Sequence, residues 1–212
     1  IGYTVLGGFL AVSTTDLIQS IIMTFALIFI VLFGIQQAGG WELVAANANS
    51  LPGYLNFTQG YDAATGQASS YGALSIASTL AWGLGYFGMP HILLRFMAIE
   101  DDAKLKTSRR IATIWVVISM FIAVLIGIVG LAVTKAGKVP FLGTSSESET
   151  IIIQLSNLLS QHGIFFALIA GLVLAGILAS TMSTADSQLL AAASSVSHDL
   201  VQDFFGKKLN PK

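Results

Sequence analysis

The sequence has no cysteine and few charged residues, and each of these features excludes some kinds of protein or site. Of its 212 residues, 10% are Asp, Glu, Lys or Arg, whereas soluble domains carry about 25%. A soluble protein with so few charged side chains could not cover its surface. The absence of cysteine excludes disulfides and thiolate metal sites. With a net charge of −1 and no basic stripe, the chain gives no indication of a nucleic-acid partner.

The hydrophobic residues, 54% of the chain, predict a lipid bilayer as its surroundings. Four segments have the length of about 20 mainly apolar residues that a membrane-spanning helix needs. They are about 16–35, 71–97, 111–133 and 165–195. The fold class predicted is therefore all-α transmembrane, with about four spans. No Walker loop, HExxH motif or nucleophile elbow occurs, and the sequence does not indicate an enzyme.

The basic residues predict how these spans are oriented. The loop 98–110 and the tail 196–212 hold most of the Lys and Arg, so both should be cytoplasmic. The loops 36–70 and 134–164 should be outside, although the second contains Lys135 and Lys138. Within it, "ETIIIQLSNLLSQHG" has the apolar spacing of a short amphipathic helix, which either caps the bundle or moves as a gate.

The start of the chain indicates that it belongs to a longer membrane protein. It begins without a methionine or a signal peptide. We expect residues 1–10 to be the end of an earlier helix, followed by a turn at Gly7 and Gly8.

The fourth span carries a stripe of polar side chains inside an apolar run. Ser180, Ser183, Thr184 and Ser187 follow helical spacing, and Asp186 lies on the flank of the stripe. Hydroxyl and carboxylate oxygens are the ligands of hard cations. Such hydroxyls also bond the preceding turn or a neighbouring helix. The carboxylate favours an ion site, because ionisable residues inside a membrane are rare and usually functional, unless it faces a wet vestibule.

A second acidic residue, Asp16, opens the first span. Two roles are open to it and can coexist: a residue at a helix N-terminus that meets the positive end of the macrodipole, or an ion ligand.

The second span contains "AWGLGYFGMPHILLRF", in which three glycines and Pro90 weaken the helix. Transporters use discontinuous helices of this kind to expose backbone groups to a solute, although a kinked ordinary helix is the alternative. Trp82 and Tyr86 share one face and could form the wall of a solute pocket. We expect Arg95 to anchor the cytoplasmic end of this span, and we do not assign His91 as a ligand.

Three separated segments resemble the sodium:solute symporter family, and together they make the resemblance specific. They are "YTVLGGFLAVSTTDLIQ", "WGLGYFGMPHILLRFMA" and "LASTMSTADSQLLAAASSVSHDL". Within that family the residues are most similar to its bacterial proline symporters. The resemblance covers essentially all of residues 1–212. It implies a fragment of the inverted-repeat fold of the leucine transporter, with the spans corresponding to core helices five to eight.

The resemblance also implies roles for matching residues. The conserved sodium site takes the hydroxyls of Ser183 and Thr184 and the backbone carbonyl of Ser180. A second sodium site, present in some members, matches Asp16, Asp186 and Ser187. Proline symporters have a small polar residue where this chain has Asp186, which leaves the ion stoichiometry open. Solute binding is implied for Trp82, Tyr86 and Pro90.

The function implied is symport of sodium and a small organic solute, proline first, into the cell across a bacterial inner membrane. Another solute of the family, pantothenate or a different carboxylate, is the alternative. A transporter-like sensory domain of a receptor kinase is a further alternative, and a structural membrane fragment is another. Because the first core helix is not in the sequence, residues 1–212 alone should not transport.

Overall fold

Long helices dominate the computed structural model, which describes residues 2–62, 65–86 and 88–206. The helices are α1 (Gly2–Gln37), α2 (Trp41–Asn49), α3 (Ala73–Tyr86), α4 (Pro90–Met97), α5 (Asp102–Lys135), α6 (Ser145–Ser148), α7 (Ile151–Ser160) and α8 (Ile164–Ser194). A π-helical segment (Ser195–Phe204) continues α8. The all-α transmembrane class is confirmed, with one addition: β1 (Gln59–Asp62) and β2 (Gln67–Ser70) form an antiparallel hairpin.

Three helices in the described ranges are long and apolar enough to cross a membrane. They run over Leu6–Gln37, Asp102–Lys135 and Ile164–Phe204. Each overlaps one of the predicted spans and extends beyond it. Helix α5, for example, begins at Asp102 because the Asp101 carboxylate accepts a hydrogen bond of 2.9 Å from the backbone N–H of Ala103. Hydropathy identifies the apolar part of a helix, whereas caps determine where the helix begins.

The predicted second span, 71–97, is divided into two helices. Helix α3 has 14 residues and α4 has 8, so neither alone has the length of a membrane span. Between them Met89 is extended, with φ −67° and ψ 125°. Pro90 then takes the first position of α4, where its missing N–H has no helical partner to lose. Phe87 lies outside the described residues.

The amino end of the chain has the expected earlier helix, which ends in a kink at Gly8. Helix α1 runs from Gly2 and is interrupted at Gly8, which has φ 55° and ψ −149°. A positive φ of this kind is easily reached only by glycine. Gly8 is therefore the point at which the direction of α1 changes, and the helix resumes directly after it.

The buried core joins the last turns of α1 and α5 to α7 and the first turns of α8. Its members are apolar and almost fully buried. They include Ile30, Phe33, Val129, Val133, Leu155, Leu159 and Ala170. Helix α7 is the short amphipathic helix expected within 149–163. Because Leu155 and Leu159 are fully buried against the bundle, the structure favours capping of the bundle as its role.

A glycine allows α5 and α7 to approach closely. A Cβ atom built on Gly130 collides with Cγ1 of Ile151, whereas one built on Gly127 meets nothing within 4 Å. Gly127 lies one turn earlier in the same helix and is exposed. The two glycines therefore differ in packing but not in secondary structure.

We predict that Gly130→Ala lowers the thermal stability of the whole protein in detergent and that Gly127→Ala does not. Overpacking costs about 1–3 kcal/mol, while alanine in place of glycine stabilises a helix by about 1 kcal/mol. Gly127→Ala carries only the second effect and is the matched control. The measurement is the unfolding temperature of both variants, and equal temperatures would contradict the close packing of α5 on α7.

Candidate ion and solute site

The polar stripe of α8 lies on an unbroken helix and runs from an exposed end to a buried end. Ser180 and Thr184 are exposed, and Ser183 is half-buried. Asp186 and Ser187 are buried, with 4% and 6% of their surface exposed. The stripe therefore presents hydroxyl oxygens at one end and a buried carboxylate beside a hydroxyl at the other.

Two hydroxyls of the stripe bond to the preceding turn. Thr184 Oγ1 donates to the carbonyl of Ser180 at 3.3 Å, and Ser187 Oγ donates to the carbonyl of Ser183 at 3.0 Å. The structural role considered for these side chains is thus present. It does not exclude ion binding, because a hydroxyl that donates its proton keeps two lone pairs for a cation or a donor.

Arg95 joins three helices at the buried end of the stripe. Its Nη2 atom donates to Oδ2 of Asp16 on α1 and, at 2.8 Å, to Oγ of Ser187 on α8. Arg95 lies in the last turn of α4, the end of the span that we expected it to anchor, and its guanidinium also bonds to residues of α1 and α8. An arginine inside an apolar segment was the available signal, because such residues pair with one another.

Asp16 lies inside α1 and does not open the helix. Because the helix resumes directly after the kink at Gly8 and continues through Asp16, the interpretation of Asp16 as a residue at a helix N-terminus is wrong. Its side chain is 11% exposed. Within the part of the chain that the structure describes, Oδ1 is buried and accepts no hydrogen bond, while Oδ2 accepts from Arg95. One carboxylate oxygen of Asp16 thus keeps its capacity as an acceptor.

A small pocket lies next to this ion pair. Its volume is about 10 Å³, which is close to the space of one water-sized molecule. The residues that line it come from α1, α4 and α8. They are Phe9, Val12, Ser13, His91, Leu94, Arg95, Ser187 and Leu190. The three-helix contact thus combines an apolar wall with a charged end.

The predicted solute residues lie at the break between α3 and α4. Trp82 and Tyr86 stack on one face of α3, with ring centroids 6.5 Å apart and planes at 20°. Both are exposed, at 76% and 52%, as is every residue of α3. Pro90 begins α4 on the other side of the break. The structure thus brings the two aromatic rings together and places Pro90 across the break from them.

Comparison with known proteins gives one consistent result. The model of the Sodium:solute symporter family matches residues 1–210. The "Osmoregulated proline transporter OpuE" of Bacillus subtilis (strain 168) is 40% identical over 99% of this chain and 39% of its own length. The "High-affinity proline transporter PutP" of the same organism is 39% identical over 100% of this chain and 41% of its own length.

A third relative comes from another genus. The "Sodium/proline symporter" of Staphylococcus aureus (strain USA300) is 35% identical over 97% of this chain and 36% of its own length. The chain therefore spans about two fifths of the length of these relatives. No solved structure matches the chain.

The family match covers nearly every residue, and it agrees with three helices long enough to cross a membrane and with polar groups buried between them. The three relatives of this chain are transporters and not enzymes. The chain belongs to the sodium:solute symporter family, and it is part of a multi-pass membrane protein.

Proposed function

We propose that the whole protein couples the inward movement of sodium ions to the uptake of a small organic solute, and that this solute is proline. The observation that carries the proposal is the hydroxyl stripe on α8, a membrane-spanning helix of a sodium:solute symporter. The names of the relatives support proline as the solute. Their bacterial sources support the bacterial plasma membrane as the location.

The conserved sodium site is proposed on the exposed part of the stripe. The Ser183 and Thr184 hydroxyls and the Ser180 carbonyl supply neutral oxygens, which suit a hard cation. Ser180 and Thr184 are exposed in this chain, so their oxygens are accessible to further ligands from the rest of the protein. The Thr184 hydroxyl donates its proton to the Ser180 carbonyl and keeps two lone pairs for a cation.

A second sodium site is proposed at Asp16, Asp186 and Ser187. It has the carboxylates that the conserved site lacks, and it lies on the buried side of the stripe. Its ligands would come from α1 and α8, two helices that pack against each other. Arg95 is already bound to two of these three residues, so the occupancy of this site depends on where the guanidinium lies.

The solute is proposed to bind at the break between α3 and α4. Ends of helices leave backbone polar groups without helical partners, and these groups suit a zwitterion such as an amino acid. The stacked rings of Trp82 and Tyr86 offer an apolar wall to the ring of proline. Pro90 keeps the two helices apart, because it cannot donate a hydrogen bond that would continue α3.

We predict that the whole protein in proteoliposomes takes up labelled proline only when a sodium gradient drives it, and that Trp82→Ala weakens the apparent affinity for proline. Loss of one aromatic wall should cost about 1–3 kcal/mol. Leu84→Ala, an exposed residue two positions along α3 and away from the ring pair, is the matched control. Saturable uptake without sodium would contradict coupling, and equal proline affinities in both variants would contradict the wall. Specific proline binding without any uptake would instead indicate a sensor.

We further predict that Thr184→Ala raises the sodium concentration for half-maximal uptake by about tenfold, since one neutral ligand is worth about 1.4 kcal/mol. Thr184→Ser keeps the hydroxyl and should behave like the wild type. Thr181→Ala removes a hydroxyl that also bonds to the preceding turn but lies off the stripe, and should leave the sodium dependence unchanged. Equal effects of Thr181→Ala and Thr184→Ala would assign both hydroxyls to helix structure alone.

A further inference from the structure

We propose that Arg95 is a competitor of sodium within the protein itself: its guanidinium holds the oxygens of Asp16 and Ser187 that the second sodium ion needs. The proposal rests on sodium-coupled transport as the function of the whole protein. It concerns a residue that neither of the two sodium sites includes, and it makes the number of sodium ions per solute depend on the position of one side chain.

The guanidinium of Arg95 occupies the position at which the second sodium ion would bind. A single nitrogen, Nη2 of Arg95, contacts a carboxylate oxygen of Asp16 on one side and the hydroxyl oxygen of Ser187 on the other. These two oxygens come from α1 and α8, which are the two helices that would share the ion. Ser187 is already oriented as an acceptor, since its own proton goes to the carbonyl of Ser183. A sodium ion between the same two oxygens would overlap the guanidinium nitrogen.

The charges of Arg95 and Asp16 also exclude a sodium ion from this position. The guanidinium is always protonated, so its contact neutralises the carboxylate of Asp16. A sodium ion that approached this pair would meet a positive charge at hydrogen-bonding distance and a carboxylate whose charge is already balanced. Removing the guanidinium would leave Asp16, with a side chain 11% exposed, in need of another cation. Sodium is the cation that a sodium-coupled transporter supplies.

Arg95 belongs to the same short helix as one of the proposed solute residues. Its side chain is 47% exposed, and it belongs to α4, a helix of 8 residues that is separated from α3 by the break. The same short helix begins at Pro90, which is a proposed solute residue. The short helix thus connects the proposed solute site to the second ion site.

The test measures charge and proline together in the whole protein. Proline is a neutral zwitterion, so the charge moved per proline equals the number of sodium ions that accompany it. In voltage-clamped proteoliposomes we expect about one charge per proline for the wild type and about two for Arg95→Gln, together with steeper activation by sodium. Arg95→Lys retains a cation and should keep the wild-type ratio.

A second variant separates the loss of the competitor from any other effect of the substitution. Asp16→Asn in the Arg95→Gln background removes the ligand that sodium would gain, and should return the ratio to about one. An unchanged ratio in Arg95→Gln overturns the proposal, as does a ratio of two in the wild type. A doubled ratio that persists in the double variant also overturns it, because the extra ion would then not bind at Asp16.

If a variant no longer transports proline, its sodium binding is measured by the rise of its unfolding temperature with sodium concentration. Each bound ion stabilises the folded protein by mass action, so a second site should about double the rise in unfolding temperature per tenfold increase in sodium. We expect this doubling in Arg95→Gln and its loss in the double variant; an unchanged slope overturns the proposal. This measurement needs no solute. Failure of proline uptake in the wild type, by contrast, would contradict the proposed function and leave this test valid.

Discussion

The need of buried polar groups for a partner is the constraint on which the rest of the structure depends. Asp186 and Ser187 are buried in a helix whose other side chains are mostly apolar, and Asp16 on α1 shares the guanidinium of Arg95 with Ser187. A carboxylate in such surroundings is stable only with a cation or a proton. At Asp16 and Ser187 the structure meets this need with the guanidinium of Arg95. Sodium is proposed to bind the hydroxyl oxygens of the same stripe on α8.

The break between α3 and α4 connects the buried polar groups to transport, because it separates Arg95 from the proposed solute residues on α3. If residues 73–97 formed one helix, Arg95 would be fixed in register with Trp82 and Tyr86. Since α4 instead begins anew at Pro90, the guanidinium belongs to a short helix that follows α3 after the break and packs against α8. The core around α7 and the ends of α1 and α5 is tightly packed by comparison. Movement is thus expected at the break and not in the core.

The sequence predicted the parts of this arrangement that depend on local periodicity. The stripe on α8 follows from the 3.6-residue period, and the glycines with Pro90 predicted the weakness of the second span. The bond between Arg95 and Asp16 could not be predicted in this way, because it joins residues 79 positions apart and depends on where α4 packs. Asp16 was misplaced at a helix start for a related reason: apolar content marks the span, while α1 continues through polar residues 13–16.

The most direct test of the account is the number of sodium ions that the purified whole protein binds, measured with radioactive sodium at saturation and without solute. We predict a single ion for each chain, bound at the hydroxyls of Ser183 and Thr184, while Arg95 holds Asp16 and Ser187. Two ions for each wild-type chain would contradict the competition by Arg95. The absence of any saturable sodium binding would contradict the assignment of the α8 stripe as an ion site.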